Sequence, residues 1–139
     1  MKITTYAYTN QGGRHHNEDS IRAEQDERRT VLVLADGLGG HGGGERASAL
    51  AAEAVCGQCF SCQTVDEAAL AEFIRQANQT VLDGQSEPGL EEMRTTLVAL
   101  SLEGEQALWA HVGDSRLYRV SQGEINQLTK DHSVTYRKY

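Results

Sequence analysis

Residues 30–48 read TVLVLADGLGGHGGGERAS, and the fold turns on how this stretch is read. Val31 to Ala35 form an unbroken apolar run, the pattern of a strand buried on both faces. Asp36-Gly37 ends the run, a glycine-rich turn follows, and from Glu45-Arg46-Ala47 the chain favours an alanine-rich helix. The strand therefore delivers the Asp36 carboxylate to its tip. Neighbouring glycines let the backbone turn sharply and bring its carbonyls and amides close to a ligand. A carboxylate so placed suits metal coordination or phosphate handling. It equally suits the capping of a tight strand-to-helix turn, and this stretch alone leaves both readings open.

Upstream, ITTYAYT over 3–9 alternates and is rich in β-formers, which predicts a first strand. A polar loop follows, in which Arg14, His15, His16, Glu18 and Asp19 crowd into six residues. Ile21 to Glu24 reads as a second strand and Gln25 to Arg29 as its hairpin turn, pairing it with the strand from Thr30. That hairpin would bring Glu18 and Asp19 to the same end as Asp36.

Downstream, helices are predicted over 45–59 and 65–82, the second with Leu70, Phe73, Ile74, Ala77 and Val81 on one face. A loop over 85–94 holds Pro88, the single proline. The texture then changes: TTLVALSLEG, QALWAHVGDS, RLYRVSQG and EINQLTKDH read as four strands broken at Gly104, Gly113-Asp114 and Gly123. Asp114, like Asp36, ends an apolar strand. The order predicts an α+β fold with mainly antiparallel strands, organised as one domain over 1–139.

Thirteen Lys and Arg stand against 20 Asp and Glu, a net charge of -7, which argues against nonspecific binding to nucleic acid or an anionic membrane. No stretch has signal-peptide character or approaches a membrane span, so the expectation is a soluble, cytoplasmic protein. Cys56, Cys59 and Cys62 have the C-x-x-C-x-x-C spacing of some zinc and iron-sulfur sites, but a fourth ligand is missing nearby. Reduced thiols packed on a helix face are the preferred reading.

Taken in order, Arg14, Asn17-Glu18-Asp19, Ala35-Asp36-Gly37, Gly39-Gly40-His41, Thr95-Thr96, His111-Val112-Gly113-Asp114-Ser115-Arg116 and Leu128-Thr129-Lys130-Asp131-His132-Ser133 resemble the metal-dependent serine/threonine phosphatases of the PPM, or PP2C, family in its bacterial form. The resemblance implies a sandwich of two antiparallel β-sheets flanked by helices, with two Mn²⁺ or Mg²⁺ ions at one end. It implies that Asp36 bridges the ions, that Glu18 and the Gly37 carbonyl complete the second site, and that Asp19 acts through water. Arg14 would hold the substrate phosphate with its guanidinium fork, and Asp114 would serve an additional, weaker metal. The activity implied is hydrolysis of phosphoserine and phosphothreonine in proteins, opposing a cognate kinase. Carboxylates and carbonyls are the ligands hard divalent cations prefer, and such ions activate water for attack at phosphorus.

The sequence departs from the family in several places. Family members continue into further strands, a helical pair and two more metal-ligating aspartates, none of which has a counterpart in these 139 residues. The chain is therefore expected to be the N-terminal part of the domain, incomplete at its C-terminus and weakly active or inactive alone. Uncovered sheet edges would favour dimerisation, strand exchange or poor solubility. Arg94 stands where glycine usually precedes Thr-Thr. Leu38 replaces a histidine that some eukaryotic members carry, and His41 does not inherit its role. His15, His16, His111 and His132 are read as structural or solvated. An alternative is a non-catalytic relative that binds a phosphoprotein or kinase. A nucleotide-binding module is a further rival, because Gly37-Leu38-Gly39-Gly40-His41-Gly42 matches G-x-G-x-x-G, although Asp36 would repel a pyrophosphate.

Overall fold

The computed structural model describes residues 2–40 and 42–132. A hairpin comes first: β1 (Asp19–Gln25) pairs antiparallel with β2 (Arg29–Leu38) in the register Asp19↔Asp36 to Gln25↔Thr30. Its turn is set by Asp26, whose Oδ1 accepts from the amides of Arg28 and Arg29 at 2.8 and 2.9 Å. An aspartate bonding its own backbone two and three residues on is a turn former, and here it fixes the register.

Two helices follow, α1 (Gly43–Ser61) and α2 (Glu67–Gly84). The Asp66 side chain caps α2 by accepting from the Ala69 amide at 2.8 Å. After the connecting loop, β3 (Arg94–Thr95) pairs with the end of β2, and β4 (Leu97–Glu103) pairs with its body. β5 (Gln106–Val112) continues the sheet beyond β4, giving the order β1-β2-β4-β5 with β3 beside β2. β6 (Tyr118–Ser121) and β7 (Glu124–Gln127) form a separate antiparallel hairpin. The arrangement is the expected α+β fold with antiparallel sheets.

The core lies between α1, α2 and one sheet face. Val31, Val33 and Ala35 of β2 meet Ala47, Ala51, Ala52 and Val55 of α1, with Leu70, Phe73, Ala77 and Val81 of α2 behind. Alanines let α1 sit close to the sheet. The opposite face of β2 is less covered than its apolar run implied: Leu32 and Leu34 are only half-buried.

Arg29 closes the far end of the core. It is 2% exposed, and its guanidinium donates to the carbonyls of Cys59, Cys62 and Gln63 and to Glu103 Oε1 at 2.7 Å. One buried cation thus satisfies carbonyls that the end of α1 leaves free. Cys56 and Cys59 are buried, all three cysteines are free thiols, and among the described residues no metal-holding cluster involves them. Burial pushes the Cys56 thiol up to about 12 and that of Cys59 up to about 11.

Two expectations are corrected. No strand forms over 3–9, where Tyr6 and Tyr8 are 94% and 83% exposed; the alternation is present, but among the described residues no strand pairs with it. The last strand stops at Gln127, and Leu128 to His132 instead run as a tether. As the two successive helices in the sequence led one to expect, the glycine-rich turn serves no β-α-β unit: α1 leads to α2, and among the described residues every strand pairing is antiparallel. His41 and residues 133–139, including Ser133 of the last motif, lie outside the described residues. No helix among the described residues is long and apolar enough to cross a membrane.

Candidate active site

The hairpin register places Asp19 directly across from Asp36 at the open end of the sheet. One residue before Asp19, the Glu18 carbonyl accepts from the Gly37 amide at 3.0 Å, which extends the ladder by one bond. Arg14, His16, Glu18, Asp19, Asp36 and Gly37 line one cleft of about 200 Å³. Residues from the polar loop and from the buried strand, separated in sequence, thus share a cavity. Asp114 does not line it.

Electrostatics tie these groups together. The Asp36 carboxyl is pushed up, first by partial burial, then by a hydrogen bond with Asp19 and the charges of Asp19 and Asp114, with Arg14 opposing. The charges of Asp19 and Asp114 thus add to burial in disfavouring the ionised Asp36 carboxyl, an effect that a positive charge would offset. Glu18 supplies a second sign. Its Oε2 is buried and has no hydrogen-bond partner. A buried carboxylate oxygen without a donor is costly unless something positive meets it, so this orphan atom fits a cation. Among the described residues, no three His, Cys, Asp or Glu side chains are arranged to hold a metal on their own.

The glycines around the cleft are required by packing. A Cβ on Gly37 would stand 1.9 Å from the Gly44 carbonyl oxygen, and one on Gly44 would stand 1.8 Å from Glu18 Oε2. The start of α1 thus lies flat against the tip of β2, with the Glu18 carboxylate filling the space above Gly44.

One residue that positions this end of the sheet, Ser48, was not singled out from the sequence, and Thr96 stood out only as part of Thr95-Thr96, with no role attached to it. Ser48 is fully buried and its hydroxyl donates to the Glu18 carbonyl at 2.7 Å, with Ser20 Oγ 3.0 Å away. Its signal in the sequence is a lone serine on the apolar face of an alanine-rich helix. Thr96 Oγ1 accepts from the Asp36 amide at 3.1 Å.

The histidines divide as expected. His111 Nε2 lies 2.7 Å from the Lys130 carbonyl, His132 Nδ1 accepts from the Gly113 amide at 3.1 Å, and the two rings stack with centroids 4.5 Å apart. His16 forms an exposed pair with Glu45 at 3.3 Å. Arg116 forks onto Asp131, with Nη2 to Oδ2 at 2.7 Å. These contacts pin the tether over 128–132 beside the loop that carries Asp114.

In an antiparallel α+β domain, one polar cleft thus gathers carboxylates and a guanidinium, residue types suited to hard cations and to phosphate groups. Comparison narrows this reading. The family model for protein phosphatase 2C matches residues 9–139. The serine/threonine phosphatase stp of Listeria welshimeri is 37% identical over 130 residues, covering 88% of this chain and 52% of that protein. A crystal structure of the catalytic domain of the phosphatase PstP in complex with two manganese ions superposes with a TM-score of 0.78 at 37% identity, over 89% of this chain and 53% of that one. Stp1 from Staphylococcus aureus superposes at 0.83 with 27% identity, over 99% and 58%. The chain belongs to the protein phosphatase 2C family. It spans about half the length of the curated stp relatives it matches.

Proposed function

We propose that this chain carries part of the centre of a metal-dependent serine/threonine protein phosphatase that uses Mn²⁺ or Mg²⁺. The observation that carries the reading is the buried, unpartnered Glu18 oxygen in a cleft shared with Asp19, Asp36 and Arg14. Asp36, Glu18 and the Gly37 carbonyl would hold the ions, Asp19 would act on them through water, and Asp114 would serve an additional, weaker site. Bound there, the divalent ions supply positive charge for phosphate oxygens and acidify water for attack at phosphorus. Arg14 grips the phosphate from the rim of the same cleft, where its fork offers two parallel donors.

Phosphoserine and phosphothreonine proteins are the proposed substrates, and a kinase that made them the proposed counterpart. A cytoplasmic setting agrees with three free thiols. Because the described residues offer only a partial ligand set, the 139-residue chain alone is proposed to bind metal weakly and to turn over slowly or not at all.

Calorimetric titration with Mn²⁺, beside phosphate release from a phosphothreonine peptide, tests this. The chain should bind Mn²⁺, and Asp36→Asn and Glu18→Gln should bind at least tenfold more weakly, on the order of the loss of one charged ligand. Undiminished binding by Asp36→Asn would overturn the site. Robust Mn²⁺-dependent turnover by the 139-residue chain would overturn its proposed weakness.

A further inference from the structure

Thr96 touches two acidic segments at once. Its amide donates to the Asp36 carbonyl at 3.0 Å, and its Oγ1 accepts from the Asp36 amide at 3.1 Å, so both backbone polar groups of Asp36 end on one residue. The same Oγ1 lies 2.6 Å from Ser115 Oγ. Ser115 follows Asp114, whose charge is felt at Asp36. Gly113, at φ +101°, lets this loop approach: a Cβ there would stand 2.7 Å from Thr96 Cγ2.

Either hydroxyl of the Thr96–Ser115 pair can be the donor. Thr96 Oγ1 already accepts from Asp36 N, so its own proton is free to go to Ser115 Oγ, or Ser115 donates into the second lone pair. Either way the hydroxyl pair closes a chain from the β2 tip to the β5 loop. We infer that Thr96 is a positioning residue, a hydroxyl clasp that sets the separation of Asp36 and the Asp114 loop and thereby the metal affinity of the cleft. This rests on the proposed metal site and adds a role that neither carboxylate supplies. A β-branched side chain fits it: χ1 is stiff, so the hydroxyl stays aimed once the methyl packs on Gly113.

The test uses the 139-residue chain with Thr96→Val, Thr96→Ser and Ser115→Ala, read by amide hydrogen exchange without metal and by Mn²⁺ calorimetry. Thr96→Val keeps the shape and removes the acceptor. Its Asp36 amide should exchange at least tenfold faster while Val33 and Ala99 amides in the same sheet keep their protection, and its Mn²⁺ affinity should fall about 10- to 100-fold, the range for lost outer-shell partners. Thr96→Ser should stay within about twofold of the parent in both readouts, and Ser115→Ala should fall between. Thr96→Val binding Mn²⁺ within twofold of the parent overturns this inference alone. So does a Thr96→Ser as weak as Thr96→Val, since methyl packing would then be the cause. A parent chain that binds no Mn²⁺ overturns the metal-site reading and this inference with it.

Discussion

Replacing Gly44 by alanine sets two physical expectations against each other. Alanine is favoured over glycine in a helix by about 1 kcal/mol, so propensity alone predicts a more stable α1. The added Cβ, however, would stand 1.8 Å from Glu18 Oε2, 2.7 Å from its Cδ and 2.9 Å from the Leu38 amide nitrogen. Carbon and oxygen do not approach within 3.0 Å, so the carboxylate must withdraw by more than 1 Å. It sits at the end of a flexible side chain and can swing away; the Leu38 backbone has to give only slightly. Overpacking of this kind costs about 1–3 kcal/mol, partly offset by the propensity gain. The melting temperature should therefore change by no more than roughly 8 °C. Mn²⁺ affinity should suffer far more, because a ligand moved by more than about 0.5 Å leaves its productive position. Calorimetry and thermal melting of Gly44→Ala with and without Mn²⁺ decide it: a near-parental melting point without metal, and at least tenfold weaker binding. Binding within twofold of the parent would refute the idea that Gly44 exists to seat Glu18.

Gly37→Ala should behave differently, because its Cβ would meet only backbone, Gly44 O at 1.9 Å and Glu18 O at 2.7 Å, and no side chain can swing away; loss of cooperative melting is expected, and a stable, cooperative Gly37→Ala would contradict it. Gly57→Ala, in α1 with nothing within 4 Å of the added carbon, should raise the urea midpoint by the equivalent of about 0.5–1 kcal/mol. Arg29→Met strands the carbonyls of Cys59, Cys62 and Gln63 and should cost about 3 kcal/mol or more by urea denaturation; a loss under 1 kcal/mol would show that water replaces the guanidinium. The Arg116 fork holds the Asp131 carboxyl below its ordinary 3.8, so the clasp is intact above that pH and is lost as pH falls through the lower, folded value; an NMR titration midpoint for Asp131 at or above 3.8 would contradict it. With thiols near 12 and 11, Cys56 and Cys59 should resist a disulfide reagent at pH 8 until denaturant is added.

What was legible in the sequence, and what was not, follows the range of the interactions involved. The β1-β2 hairpin could be read because its turn is local: Asp26 bonds residues two and three further on, and this fixes the register that carries Asp19 to Asp36. Both helices could be read because their periodicity lies within one segment, and the buried reading of Cys56 and Cys59 came from the same spacing. The stretch over 3–9 has the alternation of a strand, but a strand needs a partner and alternation does not supply one.

The groups that hold the carboxylates in place are remote from them in the chain. Ser48 reaches the Glu18 carbonyl across 30 residues, Thr96 reaches the Asp36 amide across 60, and Ser115 reaches Thr96 across 19. Thr96 and Ser115 stand inside motifs that the sequence displays, but small hydroxyl residues carry no periodicity of their own, so sequence shows them without showing what they hold, and leaves Ser48 unmarked. The physical division of labour explains why. Asp36 is raised first by burial, then by its hydrogen bond with Asp19 and the charges of Asp19 and Asp114, and side-chain torsions alone would let these carboxylates swing apart. The Glu18 backbone is held by Ser48 and the Gly37 amide, and the Asp36 backbone by Thr96 at both its amide and its carbonyl. Each of these two carboxylates therefore starts from a backbone that neutral hydrogen bonds hold from behind. A substitution behind the cleft should accordingly weaken cation binding while leaving the number of charges unchanged, which separates support from charge as the origin of the affinity.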